Sequence, residues 1–366
     1  MSQKIAIPGG TGTIGSSLVL ALHDSPKYNP IILSRATAAI PPNTTSIYTT
    51  SFNTEKNSEI KTEIRYVDYT SVDSLTASLS DIHTVVSTLL IPGPEIVIYQ
   101  LNLLSAAIAA GCQRFAPSEF ALPQHSHGDV DVDHGKIVVW DKVKDAVAKG
   151  EIDGAAFPCG MFMNYLAIGA PRELEGRAGF REGELIFHLR GQHHDHQRRD
   201  NGDGDGGWIE VPLSDEGEYP KLTMTDIRDV GRFIVAALGI EEPWGGRELG
   251  MAGDTRSFHE VIASIERIIG RKVQVRTVGR RDLQKRLDGL DKEDILGRID
   301  VQYTMPLVAS KQKHRLGGCV GDDGRFRGLS FLSQDQVVAE RTLAPASGGK
   351  RYGSLDGCSD TKLDKL

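Results

Sequence analysis

The sequence predicts an α/β protein built on a doubly wound parallel sheet, and three observations carry that prediction. A short apolar run, Lys4 to Ile7, passes directly into a turn in which Gly9, Gly12 and Gly15 recur every third residue. An apolar, helix-patterned segment from Ser16 to Leu22 leaves that turn. β-branched runs then alternate with helical ones up to about residue 90, the pattern of a sheet covered by helices on both faces.

The turn itself, Gly9, Gly10, Thr11, Gly12, Thr13, Ile14 and Gly15, is the first candidate site. Glycines there permit positive φ, close approach of backbone N–H groups to a pyrophosphate, and tight packing of the new helix on its strand. The ligand this implies is a dinucleotide, because the turn follows a strand and opens a helix. An ordinary tight turn between strand and helix is the alternative.

Pro30 to Arg35 reads as the second strand, ending 20 residues beyond Gly15. An acidic residue at that point binds the free ribose hydroxyl of NAD, whereas an arginine favours a 2′-phosphate. Arg35, with Ser34 beside it, therefore points to NADP(H); a solvated surface arginine is the alternative. Residues 36–60 are rich in Thr, Ser, Pro and Asn and read as loop. Glu63 to Asp68 is the third strand, a helix follows from Val72 to Leu79, and the β-branched run Asp81 to Leu89 is the fourth strand. Ser87 and Thr88 end it at the carboxyl edge of the sheet, where ligands bind in such folds. His83 is expected at a strand edge with no chemical role. A helical run from Gln100 ends at Gly111 and feeds a fifth strand from Arg114, which closes on Pro117-Ser118-Glu119-Phe120. Ser118 and Glu119 thus join the same edge.

These residues resemble the NmrA-like and isoflavone reductase-like family of atypical short-chain dehydrogenase/reductases. The shared features are the glycine spacing, Arg35 after the second strand, and the helix ending in Ala-Gly that leads to Arg114-Phe115-Ala116-Pro117-Ser118-Glu119-Phe120. The resemblance covers about residues 4–185 and 208–290, including Lys221 to Phe233, where Thr225 is expected to N-cap a helix. It implies a Rossmann-like NAD(P)-binding domain over residues 1–165, completed by about 220–240, and a smaller C-terminal substrate-binding α/β part over 166–310. Ser257 and Glu260 have capping-box spacing ahead of a helix ending at Gly270, with His259 exposed on it.

In such reductases hydride passes from NADPH to an aromatic or conjugated substrate, and a lysine on the helix after the fifth strand assists proton transfer. The sequence has no Tyr-x-x-x-Lys pair, so the ordinary short-chain dehydrogenase mechanism is excluded. Counted back from Phe162, the family's lysine position falls near Trp140. Lys136 lies one helical turn earlier on the same face, while Lys142 points elsewhere. Lys136 is therefore the candidate general acid/base, with desolvation expected to lower its pKa; the alternative is that Lys136 and Lys142 are both solvated. Asp131, Asp133 and His134 are placed to cap this helix or orient Lys136, and His134 is a second candidate proton donor. Pro158, Cys159 and Gly160 are candidates for the nicotinamide side, and Phe162 and Tyr165 for substrate, although residues of these types serve equally as plain core. The resemblance leaves two functions open: an NADPH-dependent reductase of a small aromatic or secondary-metabolite-like molecule, or an NADP-binding redox sensor that acts through a protein partner without turnover.

Composition narrows the partners. The 366 residues carry a net charge of −7, which argues against nucleic acid or an anionic membrane surface. No signal-peptide pattern and no apolar run near 18 residues is present, and the expectation is a cytoplasmic monomer or homodimer. Four cysteines, Cys112, Cys159, Cys319 and Cys358, are widely spaced and suggest buried thiols rather than disulfides or zinc. Residues 192–207 form a polar insertion whose His193, His194 and His196 have no apolar frame to hold a metal, so a mobile loop and no metal are expected. Residues 311–366 lack sustained periodicity and are expected to be a loosely ordered tail.

Overall fold

A computed structural model of the full chain describes residues 2–50, 59–91, 93–169, 177–181, 183–189, 208–214 and 217–308. The insertion at 192–207 with its three histidines, the tail at 311–366, and Cys319 and Cys358 lie outside the described residues.

The main sheet has eight strands: β1 (Gln3–Pro8), β2 (Tyr28–Arg35), β3 (Thr45–Thr50), β4 (Ile60–Val67), β5 (Thr84–Val86), β6 (Arg114–Ala116), β7 (Asp153–Ala156) and β12 (Arg247–Glu248). Their spatial order is β12-β7-β6-β5-β1-β2-β4-β3. Every pairing is parallel except β3 with β4. The chain moves outward from β1 in one direction and then returns to build the other side from β5. The order therefore reverses between β1 and β5, the point at which sheets of this kind hold ligands, outside the carboxyl ends of the strands.

Helices α1 (Thr13–His23) and α5 (Ile227–Leu238) cover one face; α2 (Val72–Leu79), α3 (Glu95–Ala109) and α4 (His134–Ala148) cover the other. Along β1, Ile5 and Ile7 enter the first core, with Phe157, Phe233 and Trp244, while Ala6 enters the second, with Val85, Phe115 and Trp140. A strand buried on both faces needs no polar alternation, which is why Ile5-Ala6-Ile7 is apolar throughout. Arg114 locks this layer at its far end. Its guanidinium lies 4.9 Å over the Trp244 ring, 3.2 Å from the Asp153 carboxylate, and donates to the backbone oxygens of Leu238, Ile240 and Glu242 at 2.8–3.3 Å.

The remaining elements form two three-stranded sheets. One contains β9 (Phe187–His188), β10 (Trp208–Pro212) and β14 (Gln274–Val278); the other contains β8 (Met161–Phe162), β11 (Lys221–Thr225) and β13 (Asp254–Ser257). With α6 (Phe258–Ile269) and α8 (Ile295–Val308) they enclose a further core around Phe187, Ile209, Met224 and Phe258. Helix α7 (Arg280–Asp288) packs beside α8 through Leu283 and Val301.

Several sequence expectations change here. Residues 36–60 are not all loop: Thr45–Thr50 forms the edge strand β3, antiparallel to β4. Its threonines signal a turn by composition but suit a half-solvated edge by their branching. Helix α3 begins at Glu95 rather than Gln100. Thr225 does not cap α5; it ends β11 and donates its hydroxyl to the Cys159 carbonyl at 2.8 Å, while Asp226 accepts the Arg228 N–H as the cap. The capping box of Ser257 and Glu260 is present, and α6 ends at Gly270 in the left-handed region. His259 is exposed on that helix, and His83, at the amino end of β5, bonds its neighbour Thr84. Cys112 and Cys159 are buried free thiols.

Candidate functional site

The switch point between β1 and β5 is bordered by the glycine turn. Gly9 has φ +80°, and a Cβ on it would lie 2.9 Å from the Thr88 carbonyl oxygen. A Cβ on Gly15 would lie 2.6 Å from Gly10 Cα and 2.7 Å from the Thr88 hydroxyl, so the bend closes only with glycine at both places. Gly12 stands at the N-cap of α1, and no side chain caps that helix. Its first turn, from Thr13 through Ile14 to Gly15, presents its positive end to the switch point. Thr11, Gly12, Thr13 and Ile14 are half-buried along this rim. Such a cradle fits a phosphate-bearing ligand.

Thr88 forms the opposite wall, held by its N–H and hydroxyl to the Pro8 carbonyl at 2.8 and 2.9 Å. Ser87 beside it is fully buried, and its hydroxyl has no hydrogen-bond partner among the described residues. Ser34 and Arg35 end β2 at the same edge, Ser34 half-buried and Arg35 exposed. Arg35 also lines a cavity of about 300 Å³ with Thr37, Asp68, Tyr69 and Tyr99. Tyr69 and Tyr99 stack at 5.7 Å, and the Tyr69 hydroxyl donates to the Leu33 carbonyl at 3.0 Å. Sequence reasoning missed this aromatic pair, whose members lie on a loop and on a helix with no shared motif.

The second half of the site gathers at the ends of β6 and β7 and the start of α4. Asp133, 2% exposed, receives the Lys136 ammonium at 2.9 Å on one oxygen and the Tyr303 hydroxyl at 2.9 Å on the other. Asp133 thus orients Lys136, as its spacing suggested, although its side chain does not cap α4. The pKa expectation for Lys136 is corrected. Burial does press it downward, but the carboxylates of Asp133 and Glu119 and the hydrogen bond to Asp133 outweigh that and hold the ammonium above its usual value. Lys142 is a solvated lysine opposite Asp145, and His134 is exposed with its ring on the Gly128 carbonyl. Trp140 is a core residue, 3% exposed, on the face of α4 that packs on the sheet.

Ser118 is half-buried at the carboxyl edge, but Glu119 turns inward. Its carboxyl is 1% exposed, accepts from Gln124 at 2.7 Å, and faces the His127 ring at 3.7 Å. One Glu119 oxygen and His127 Nδ1 find no partner among the described residues. Burial pushes the Glu119 carboxyl up to about 8, opposed by Lys136 and reinforced by Asp133 and Glu248. The Glu119 side chain is thus sealed inward beside the Gln124 amide and the His127 ring, within electrostatic reach of Lys136. Pro158 and Cys159 are buried, and their backbone is in use: Met251 N–H donates to the Pro158 carbonyl at 2.9 Å and Cys159 N–H to the Ala121 carbonyl at 3.1 Å. The Cys159 thiol is fully buried near Lys136, and burial raises it to about 12. It stays a neutral thiol and offers no nucleophile. Gly160, half-buried at φ +67°, turns the chain towards β8.

Phe162 and Tyr165 are half-buried and converge on the buried Phe180, at ring distances of 5.6 and 4.7 Å. Tyr303 reaches the core that Tyr165 packs on from α8, and its hydroxyl shares the Asp133 carboxylate with Lys136. Phe180 and Tyr303 carry no motif, and only the fold brings them to the site. Among the described residues no group of histidines, cysteines and carboxylates could hold a metal ion, and no helix is long and apolar enough to cross a membrane.

Comparison with known proteins agrees with this architecture. Oxidoreductase BOA1 of Botryotinia fuckeliana is 30% identical over 274 residues, 74% of this chain and 77% of that one. Oxidoreductase swnN of Metarhizium robertsii is 30% identical over 125 residues, 33% of this chain and 32% of that protein. Among solved structures, AtPrR2 with NADP+ and (+)pinoresinol superposes with a TM-score of 0.61 at 14% identity, covering 93% of this chain and 99% of that one. The leucoanthocyanidin reductase–NADPH complex of Vitis vinifera gives 0.60 at 17% identity, with the same coverage. An isoflavone reductase gives 0.59 at 15%, again with the same coverage. At these identities the structures establish the fold alone. The model of the NmrA-like family matches residues 1–165 and 191–314, and with the glycine turn at the switch point this places the chain in the NmrA-like family.

Proposed function

We propose that the protein is an NADPH-dependent reductase of a small aromatic or secondary-metabolite-like molecule. The observation that carries this reading is the position of Lys136: a charged amine fixed by the buried Asp133 carboxylate, which it shares with the Tyr303 hydroxyl, at the start of the helix that follows β6, on the same side of the sheet as the glycine cradle. The relatives named oxidoreductases and the superposed reductases with NADPH or NADP+ support it.

In this reading residues 1–165, completed by 220–240, hold the dinucleotide, and residues 166–310 supply most of the substrate side. Gly9 to Gly15 take the pyrophosphate on backbone N–H groups, Ser34 and Arg35 take the 2′-phosphate, and Tyr69 and Tyr99 flank the adenosine end. Ser87, Thr88, Ser118 and the turn Pro158–Gly160 border the nicotinamide end. The bound cofactor supplies a hydride from its C4. Lys136, kept as an ammonium, stabilises the negative charge that develops on the substrate and delivers the matching proton from Nζ. The rings of Phe162, Tyr165 and Phe180 hold a planar substrate and exclude water.

The test is NADPH oxidation by the full chain against a panel of aromatic ketones and enol ethers. Lys136→Ala should lower turnover by about 10²- to 10⁴-fold, the range for loss of a positioned proton donor, with NADPH binding kept. Undiminished turnover in that variant would remove Lys136 from the chemistry. NADPH binding with no turnover of any panel member would favour the sensor reading instead. That reading drew on Trp140 at the family's lysine position, and Trp140 lies in the core while Lys136 provides the amine.

A further inference from the structure

Helix α8 does more than close the C-terminal core. It is clamped to the turn ahead of α4 at three points: the Arg298 guanidinium on the Asp131 carboxylate at 2.7 and 2.9 Å, the Gln302 side-chain oxygen receiving the Asp131 N–H at 3.1 Å, and the Tyr303 hydroxyl on Asp133 at 2.9 Å. The first two hold the turn as a whole. The third acts on the one carboxylate that touches Lys136. Asp133 is almost sealed from solvent, so both of its oxygens need donors, and the site supplies one each. With Tyr303 fixed on one oxygen, the carboxylate plane is set and the other oxygen faces Lys136 Nζ.

We infer that Tyr303 is a positioning residue for the reaction, and that α8, through its hydroxyl and Asp133, fixes the Lys136 ammonium where the substrate meets it. This rests on the reading of Lys136 given above. Removing the hydroxyl leaves a buried carboxylate oxygen unpaired, and the carboxylate is then free to rotate in search of another donor. That rotation slackens the hold on the ammonium. The charged and titratable groups that interact with Lys136 are Asp133, Glu119, Cys159 and His127; of these only Asp133 contacts Tyr303 by a hydrogen bond.

The consequence is readable without a known substrate. Lysines of the intact protein are acetylated with N-hydroxysuccinimidyl acetate across pH 7 to 10, and the rate at Lys136 is followed by peptide mass spectrometry. Exposed Lys142 and Lys144 serve as internal references. Y303F keeps the ring and its packing, and thermal melting verifies its fold. Loss of a hydrogen bond to a charged group predicts that Y303F speeds Lys136 labelling about threefold or more at each pH of the range, where the amine is still mostly protonated. D133N should speed it about tenfold or more, since it removes the charge itself. R298A loosens α8 without touching Asp133 and should leave Lys136 within about twofold of wild type. A Y303F rate equal to wild type while D133N is fast would overturn the role of Tyr303. Equal effects of Y303F and R298A would also overturn it, as generic helix docking. If D133N itself changes nothing, the Lys136–Asp133 pair is absent and the reading of the site falls with the proposal.

Discussion

Between about pH 4.5 and about pH 8 Glu119 should keep in the folded state a proton that it loses in the unfolded chain, because burial pushes its carboxyl up from its ordinary value to about 8. Its contribution to stability therefore falls as pH rises through that window and levels off above it, while His23, His83 and His127, lowered by burial, contribute in the opposite direction. Glu119→Gln removes the titrating group at nearly constant shape, so the variant should lose this falling contribution and gain stability relative to wild type as pH rises through the window. Urea unfolding at pH 5, 6.5 and 8 checks this, and parallel slopes for the two proteins would contradict it. At this scale the sequence was partly legible. Asp133 and Lys136 stand three residues apart at the start of one helix, so their contact follows from helical geometry. Tyr303 lies 170 residues from Asp133, and no local pattern announces it. The direction of the Lys136 shift was misjudged because desolvation was weighed without the two carboxylates that folding brings beside it.

Helices α1 and α5 approach so closely that a Cβ on Gly231 would lie 2.6 Å from the Ser17 backbone oxygen, while the Ser17 hydroxyl donates to the Ile227 carbonyl at 2.6 Å. Gly231→Ala must push the helices apart, and overpacking of this kind costs about 1–3 kcal/mol. A urea midpoint unchanged in that variant would show that the layer is softer than the contact implies. The same contact ties the glycine turn at the head of α1 to the segment 221–233, so chain that is distant in sequence supports the cradle. Elements with strong signals were readable in advance: β1 as an apolar run before glycine, α2 over Val72–Leu79, and α6 from its capping box. The edge strand β3 was not, because its threonines signal strand by shape and loop by polarity, and pairing with β4 decides between them.

For the molecule as a whole, function follows from where the strand order reverses. β1 and β5 stay bonded to their carboxyl ends through Thr88 and Pro8, and the glycine turn, Ser87, Thr88, Ser34 and Arg35 all stand at that edge because the parallel sheet delivers every strand end to one side. The doubly wound sheet was legible from alternation and from one glycine motif. The aromatic cluster was legible only in Phe162 and Tyr165, since Phe180 comes from an irregular segment between β8 and β9 and Tyr303 from α8. The central claim is that this edge grips a 2′-phosphorylated nicotinamide dinucleotide. Isothermal titration calorimetry of the full chain with NADPH and with NADH tests it most directly, with Arg35→Ala alongside. The account requires NADPH to bind, NADH to bind about tenfold or more weakly, and Arg35→Ala to erase most of that difference, as expected for a lost charge-assisted phosphate contact. An absence of binding heat for both dinucleotides at several temperatures would contradict it.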